Sequence, residues 1–159
     1  NSDKQTVLSG AKEALNATIE KLNKLGGTVR IVELPVSAPF HSSILRPIER
    51  LLAKKLEILN IRKPQIPTLG NYHAEVYGSV KEIRNTLPKQ AHSVVQWKAS
   101  IDKMLQIGVR VFVECGPGKV LSSLIRQIDR EVKVLSLRNY DSFSETVEFL
   151  EKATEMEAE

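Results

Sequence analysis

The stretch from residue 109 to residue 137 restricts the fold of this chain more than any other part of its sequence. Val109 to Glu114 is rich in β-branched and apolar residues, and Gly116-Pro117-Gly118 follows as a tight turn. A helical pattern then covers about Lys119 to Asp129, and a second strand pattern covers Val132 to Leu137. A helix between two strands is typical of a parallel pair. The stretch therefore predicts an α/β fold with a largely parallel sheet.

Helix-like and strand-like patterns also alternate along the rest of the chain. Apolar side chains three or four positions apart predict helices at residues 11–25, 44–59 and 94–107. Two more helices are predicted to begin at residues 79 and 142. Apolar, β-prone runs predict short strands at residues 5–8, 29–36, 64–69 and 74–77. Capping-box patterns begin at Ser79 and Ser142, and Gly26-Gly27 is expected to end the first helix.

The composition excludes several classes of protein. With 159 residues, 42% of them hydrophobic, the chain can bury a core without a metal or disulfide staple. One cysteine excludes a disulfide framework and a multi-cysteine zinc site, and no apolar run is long enough for a membrane helix. The net charge of +4 comes from basic residues mixed with acidic ones, which favours an acidic partner over nucleic acid. We therefore predict neither a nucleic-acid nor a membrane partner.

His41 is the first candidate for chemistry. It follows Pro39-Phe40 after the predicted strand at residues 29–36, and ligands bind where chains leave the carboxyl ends of parallel strands. An imidazole there can act as a general base because histidine titrates near neutral pH. The alternative is a loop histidine packed on Phe40. Ser42 and Ser43 are expected to cap the following helix.

The other candidates favour structural roles. Gly116-Pro117-Gly118-Lys119 could hold an anion at a helix N-terminus, but it lacks the spacing of known phosphate loops, and a tight turn is the default interpretation. Cys115 is predicted to be buried and unreactive. His41, His73 and His92 are too scattered in sequence for a metal site, so we predict none. The chain also lacks a G-x-S-x-G nucleophile elbow.

Three stretches together resemble the malonyl-CoA–acyl carrier protein transacylase family. They are Leu34-Pro35-Val36-Ser37-Ala38-Pro39-Phe40-His41-Ser42, Val95-Gln96-Trp97 and Val113-Glu114-Cys115-Gly116-Pro117-Gly118-Lys119-Val120-Leu121. Their order and separations match the family. The opening Asn1-Ser2-Asp3-Lys4-Gln5 is similar to the family's Asn-Ser-Pro-Gly-Gln. The resemblance extends to about Asn139 but corresponds only to the C-terminal half of the enzyme.

The resemblance implies a Ser–His acyltransferase of fatty acid biosynthesis with a ping-pong mechanism. In the family, the serine of a G-H-S-x-G motif takes malonyl from coenzyme A, and the phosphopantetheine thiol of acyl carrier protein then accepts it. His41 matches the catalytic histidine, and the backbone carbonyl of Gln96 matches the group that orients it. Phe40 matches an aromatic that selects malonyl, and Asn71 matches an asparagine with a possible substrate-binding role. The resemblance implies no cofactor and a cytoplasmic location, or an organellar one in a eukaryote.

The resemblance also implies a domain organisation. Residues 1–36 would form the second half of a small ferredoxin-like subdomain, and residues 37–159 the C-terminal part of a large subdomain with a hydrolase-like parallel sheet. The N-terminal half of the enzyme, with its serine, oxyanion hole and malonyl-binding arginine, lies outside these residues. We expect that half as a partner and expect this chain alone to be inactive. Ser93-Val94-Val95 replaces the family's Ser-Pro-Val, and Asp3-Lys4 replaces its Pro-Gly.

Two alternatives stay open. One is an acyltransferase domain of a polyketide synthase, which would select other acyl units. The other is a non-catalytic fragment that binds an acyl carrier protein. Carrier proteins are acidic, and basic residues follow His41 in the sequence; they are Arg46, Arg50, Lys54, Lys55, Arg62 and Lys63. An ordinary solvent-exposed helix face would have the same charges.

Overall fold

The computed structural model describes residues 1–26 and 29–157, which form two compact units. Thr6–Ser100 form one unit, here called the helical unit. Asn1–Gln5 and Ile101–Glu159 form the other, here called the sheet unit. The predicted boundary after residue 36 refers to subdomains of the family rather than to these units, and it stays a prediction.

The helical unit contains helices but no extended sheet among its described residues. Its helices are α1 (Lys12–Lys24), α2 (Ile48–Glu57) and α3 (Val80–Thr86), and α4 (Trp97–Gln106) begins in this unit. Two 3-10 helices, Ser43–Leu45 and Leu87–Ala91, precede α2 and follow α3. Both α2 and α3 pack against the second of these 3-10 helices.

Two of the predicted helix signals are confirmed in this unit. Ser79 Oγ accepts a hydrogen bond from Glu82 N at 3.1 Å, so Ser79 caps α3 as the capping-box pattern predicts. Gly26 has φ +70, the left-handed conformation that glycine adopts at helix ends, and α1 ends just before it. Gly27, the other residue of that predicted stop, lies outside the described residues.

The four short strands predicted for residues 5–8, 29–36, 64–69 and 74–77 are wrong as regular strands. Only isolated antiparallel bridges occur in these regions, between Ser2 and Gln5 and between Leu69 and Val76. Residues 29–36 have a β-prone sequence, but no described segment pairs with them in a ladder. A strand needs a partner backbone. Without such a partner, the apolar side chains of residues 29–36 are exposed, from 41% at Ile31 to 64% at Val36.

The start of the predicted helix at residues 44–59 also differs. The chain first makes the 3-10 helix Ser43–Leu45, and α2 begins only at Ile48, directly after Pro47. Proline is tolerated there because its missing N–H would lack an intrahelical partner anyway. Ser42 caps nothing through its side chain; its Oγ donates to the carbonyl of Pro39 at 2.7 Å. The capping role predicted for Ser42 is therefore wrong.

The sheet unit contains the predicted strand–helix–strand arrangement. Strand β1 (Val111–Cys115) pairs in parallel with β2 (Lys133–Leu137), and α5 (Val120–Ile128) connects them. The register joins Val111 to Lys133 and Cys115 to Leu137. Helix α5 packs against both strands, and α6 (Tyr140–Glu157) packs against β2. The α/β prediction with a parallel strand pair is confirmed.

Apolar side chains from α4, β1, α5 and β2, together with Val132 just before β2, form the core of this unit. The residues concerned are buried, with at most 8% of their surface exposed: Ile101, Phe112, Leu124, Ile125, Val132 and Val134. Burying each such side chain contributes about 1.5–3 kcal/mol relative to exposure. Helices and strands therefore both contribute to this core.

Two local predictions in this unit are wrong. Cys115 is exposed, because it is the last residue of β1 and lies where the strand leaves the sheet. Helix α6 begins at Tyr140 rather than at Ser142, because the side chain of Asn139 accepts a hydrogen bond from Ser142 N at 3.0 Å. Asn139, not Ser142, thus supplies the N-terminal cap.

Candidate active site

The backbone holds His41 in a conformation that is rare for a residue with a side chain. Its φ is 61°, in the left-handed region. The backbone N–H of His41 donates to the carbonyl of Ala91 at 3.0 Å, and Phe40 N donates to Ala38 O at 2.9 Å. Such strain persists only where surrounding contacts enforce it, and it is concentrated at functional sites. The loop thus presents an exposed imidazole on a fixed backbone.

Two backbone carbonyls contact the same nitrogen of this imidazole. Nδ1 of His41 lies 2.9 Å from the carbonyl oxygen of Gln90 and 3.2 Å from that of Ser93. A carbonyl can only accept a hydrogen bond, so the neutral ring carries its proton on Nδ1. The lone pair of a neutral imidazole is then on Nε2, which bonds to no residue in the described ranges. A nitrogen in this state can accept a proton.

The prediction that the Gln96 carbonyl orients His41 is wrong, and Gln90 and Ser93 take that role. Gln96 directly precedes α4, and its carbonyl accepts the backbone N–H of Ser100 at 2.9 Å and the hydroxyl of the same residue at 2.8 Å. A carbonyl oxygen has two lone pairs, and both have a partner here. The Gln96 carbonyl belongs to the first turn of α4 and is not available to an imidazole.

The segment at residues 90–93 is anchored independently of His41. Its first two residues are the last two of the 3-10 helix Leu87–Ala91, in which Pro88 is buried. The Nε2 atom of His92 lies 2.8 Å from a carboxylate oxygen of Glu49, which is on α2. The side-chain amide of Gln90 donates to the hydroxyl of Tyr77 at 3.1 Å. These contacts set where the two carbonyls that face His41 are located.

Phe40 and Asn71, the other predicted site residues, lie in the same unit. Phe40 is 53% exposed, and the neighbouring His41 is exposed as well. Asn71 is exposed, and its backbone carbonyl accepts the N–H of Gln96 at 2.8 Å. The residues at 90–96 thus contact His41 at one end and Asn71 at the other.

The glycine-rich turn after β1 has a structural role. The carboxylate of Glu114 accepts hydrogen bonds from Ser122 Oγ at 2.5 Å, Ser122 N at 2.9 Å and Leu121 N at 3.1 Å. The Ser122 hydroxyl, assisted by these two amides and by the charge of Arg126, lowers the pKa of Glu114 against the opposing effect of desolvation. The amides at the start of α5 already bind this internal anion. Gly116 has φ +140, which glycine alone adopts readily.

Metal clusters and membrane-spanning helices are both absent from the described residues. The described ranges contain no group of three or more His, Cys, Asp or Glu side chains arranged to hold a metal ion. No helix in the same ranges has the length and apolar character needed to cross a membrane.

Comparisons with known proteins show which proteins this chain is similar to. No protein-family model matches the chain. A malonyl CoA-acyl carrier protein transacylase of Haemophilus influenzae is 37% identical over 150 residues, covering 94% of this chain and 48% of that protein. A malonyl CoA-acyl carrier protein transacylase of Bacillus subtilis is 32% identical over 152 residues, covering 96% of this chain and 48% of that protein. The chain is homologous to malonyl CoA-acyl carrier protein transacylases. It spans about half the length of these relatives.

Solved transacylase structures match the fold. An acyl-carrier-protein S-malonyltransferase from Burkholderia pseudomallei superposes with a TM-score of 0.82 at 32% identity, covering 87% of this chain and 45% of that one. A malonyl-transacylase in complex with its type II polyketide synthase acyl-carrier protein superposes with a TM-score of 0.78 at 28% identity, with 82% and 42% coverage. The family resemblance inferred from the three sequence motifs is confirmed.

Proposed function

We propose that this chain is the histidine-bearing half of a malonyl-CoA–acyl carrier protein transacylase, which transfers malonyl from coenzyme A to the phosphopantetheine thiol of acyl carrier protein. The observation that carries the proposal is the exposed imidazole of His41, whose Nδ1 faces the carbonyls of Gln90 and Ser93. This arrangement leaves Nε2 as the proton acceptor, which is what a Ser–His acyltransferase requires of its base. The similarity to transacylases supplies the reaction.

In the proposed mechanism, Nε2 of His41 accepts the hydroxyl proton of a serine on another stretch of polypeptide. The serine oxygen attacks the malonyl thioester carbonyl, the C–S bond breaks, and the coenzyme A thiolate takes the proton from the imidazolium. His41 then accepts the proton of the carrier-protein thiol, whose sulfur attacks the carbonyl of the malonyl-serine ester. The C–O bond to serine breaks, and the serine oxygen takes the proton from the imidazolium. The Gln90 and Ser93 carbonyl dipoles stabilise the imidazolium without a neighbouring carboxylate. No cofactor enters this sequence of steps.

Phe40 and Asn71 are proposed to contact the acyl group. Phe40 directly precedes His41, and its exposed ring would limit the space for a substituent on the malonyl carbon. Asn71 is exposed and tied through its carbonyl to Gln96. Both assignments rest on the family resemblance together with this exposure.

The finer fold assignment is also a proposal. Residues 1–36 would be part of a ferredoxin-like subdomain, and residues 37–159 part of a hydrolase-like one. Support comes from the parallel β1–β2 pair and from the similarity to transacylase structures. A cytoplasmic location follows from the same relationship.

A polypeptide with the nucleophilic serine is the main partner that the proposal requires. The relatives are about twice as long as the region they share with this chain. Residues 29–36 have a β-prone sequence and exposed apolar side chains without a partner strand among the described residues. Large exposed apolar patches mark protein contacts or cause aggregation. The serine-bearing half is proposed to cover this surface.

The function is tested by joining the serine-bearing half of the Haemophilus influenzae relative to this chain, at the point where the similarity begins; we call this protein the fusion. We expect the fusion to move malonyl from coenzyme A to acyl carrier protein, measured by intact-mass analysis of the carrier. We expect the 159-residue chain alone to give no transfer above the uncatalysed rate. Turnover by the chain alone, or a folded fusion without turnover, would contradict the proposal.

The α2 helix is the proposed contact for the acidic carrier protein. Arg50, Lys54 and Lys55 are exposed on or near one side of α2, and a related transacylase was solved with its carrier protein bound. In the fusion, K54E with K55E is expected to weaken carrier binding about tenfold at low salt, because it reverses two charges that attract the carrier. K21E with K24E on α1 makes the same charge change as a control. Equal affinities of both variants, measured by calorimetry at low and high salt, would rule out this surface.

A second candidate is transfer to the carrier protein of a polyketide synthase. The transacylase solved with a type II polyketide synthase carrier favours it. Fusion assays with carrier proteins of both kinds separate the two candidates, since the preferred carrier has the larger kcat/KM.

A further inference from the structure

We propose that Tyr77 is a positioning residue that sets the protonated nitrogen of His41 through the side chain of Gln90. The inference rests on the proposed function for its catalytic meaning, but its structural content can be measured without turnover. The side-chain amide of Gln90 donates to the Tyr77 hydroxyl at 3.1 Å. The backbone carbonyl of Gln90 lies 2.9 Å from Nδ1 of His41. Gln90 is thus held at both ends.

Tyr77 itself has little freedom to move. Only 8% of its surface is exposed, and its backbone N–H donates to Thr68 O at 2.9 Å. Its hydroxyl lies against Gly70, where an added Cβ would be 2.5 Å from that oxygen. Its ring lies against that of His73, with 5.2 Å between centroids. The hydroxyl is therefore a fixed acceptor for the Gln90 amide.

A fixed Gln90 matters because a peptide carbonyl at the end of a 3-10 helix can rotate. Gln90 lies in the last turn of the Leu87–Ala91 helix, where backbone carbonyls lack regular partners. Without the amide contact, the Gln90 carbonyl can turn away, and only the longer 3.2 Å contact from Ser93 holds Nδ1. The His41 proton would then be shared between Nδ1 and Nε2. An imidazole protonated on Nε2 cannot accept a proton from serine there.

The sequence offers a matched control for this connection. Tyr72 also contacts the His73 ring, with 6.2 Å between centroids, and it lies near Lys89. Its hydroxyl is not bonded to Gln90. Y72F therefore removes the same atom from the same aromatic group and leaves the Gln90 amide with its partner.

The test is ¹⁵N NMR of the full chain labelled at histidine, which contains only His41, His73 and His92. Y77F is expected to lower the ratio of Nδ1–H to Nε2–H tautomer at His41 about fivefold, the change that one neutral hydrogen bond supports. Q90A keeps the backbone carbonyl but loses the side-chain amide, and it should change the tautomer ratio by the same factor. Since both act on one contact, the double variant should shift no further than either single one. Y72F should leave the ratio at the wild-type value.

In the fusion, Y77F is expected to lower kcat with KM unchanged, by the same factor by which the fraction of His41 protonated on Nδ1 falls in the NMR measurement, because only that tautomer can accept the serine proton and substrate binding is intact. An unchanged His41 tautomer ratio in Y77F, or an equal shift in Y72F, would overturn the proposal. If Y77F does not fold, Q90A decides alone, and an unchanged ratio there also overturns it. A tautomer shift in an inactive fusion would support the positioning role and refute the proposed function, so the two failures are distinguishable.

Discussion

Replacing His41 by asparagine in the fusion lowers kcat/KM for malonyl transfer about 1000-fold, the contribution of a positioned general base. Asparagine is chosen because, like histidine, it is one of the few residues with a side chain that adopt the left-handed conformation comparatively often, and His41 has φ 61. Its amide can still donate to the Gln90 carbonyl, so the loop keeps its contact. The loss would then come from the absent proton acceptor and not from a rearranged backbone. Intact-mass kinetics of carrier acylation measure it.

The control for this variant is S43A, which changes an exposed neighbouring side chain in the first 3-10 helix. We expect S43A to transfer malonyl at the rate of the unmodified fusion. Circular dichroism of H41N should match that of the unmodified fusion. A folded H41N protein with kcat/KM within about tenfold of the unmodified fusion would show that His41 is not the base.

The largest stability effect is expected at Glu114. E114Q in the fusion should lower the free energy of unfolding by about 2–3 kcal/mol at pH 7. A neutral amide cannot replace the three hydrogen bonds that the carboxylate accepts from Leu121 and Ser122. Ser122 is 1% exposed, so its hydroxyl has no solvent alternative. Urea unfolding followed by circular dichroism, with and without E114Q, measures the difference.

The pH dependence of this effect has a defined sign. The Ser122 hydrogen bond lowers the pKa of Glu114 in the folded protein below its value in the unfolded chain. The carboxylate therefore contributes its full stability above the unfolded pKa, which is about 4.3 for glutamate. The contribution is lost as the pH falls through the lower folded pKa. The difference between wild type and E114Q should accordingly be large at pH 7 and shrink below about pH 4.

E145Q makes the same change of charge at an exposed position on α6 and is the matched control. It should change the free energy of unfolding by less than about 0.5 kcal/mol at either pH. Equal effects of E114Q and E145Q would show that the Glu114 carboxylate does not stabilise the start of α5.

Local patterns predicted those parts of the fold that depend on neighbouring residues. The stripe of apolar residues predicted α1, the Ser79 capping box predicted the start of α3, and Gly108, at φ 96, follows α4 as expected. The β1–α5–β2 order was predictable because strand and helix periods differ in sequence. Each of these signals is complete within about one turn or strand of the chain.

Strand pairing could not be predicted in the same way. Residues 29–36 have the composition of a strand, but a ladder depends on a second backbone that the composition does not reveal. Ser142 has a capping-box neighbour, yet α6 begins earlier because the side chain of Asn139 accepts the N–H of Ser142 and provides the cap. A favourable local pattern therefore indicates what a segment can form, and its neighbours decide between the options.

By itself, the sequence determined the α/β strand pair, most helices, the resemblance to transacylases and His41 as the candidate base. Only the tertiary structure decided which carbonyls face that base, namely those of Gln90 and Ser93 in place of Gln96. Every residue has a backbone carbonyl, so the amino-acid sequence does not indicate which carbonyl will face the imidazole. Its direction depends on the local helix geometry, and α4 already uses the Gln96 carbonyl for its own first turn.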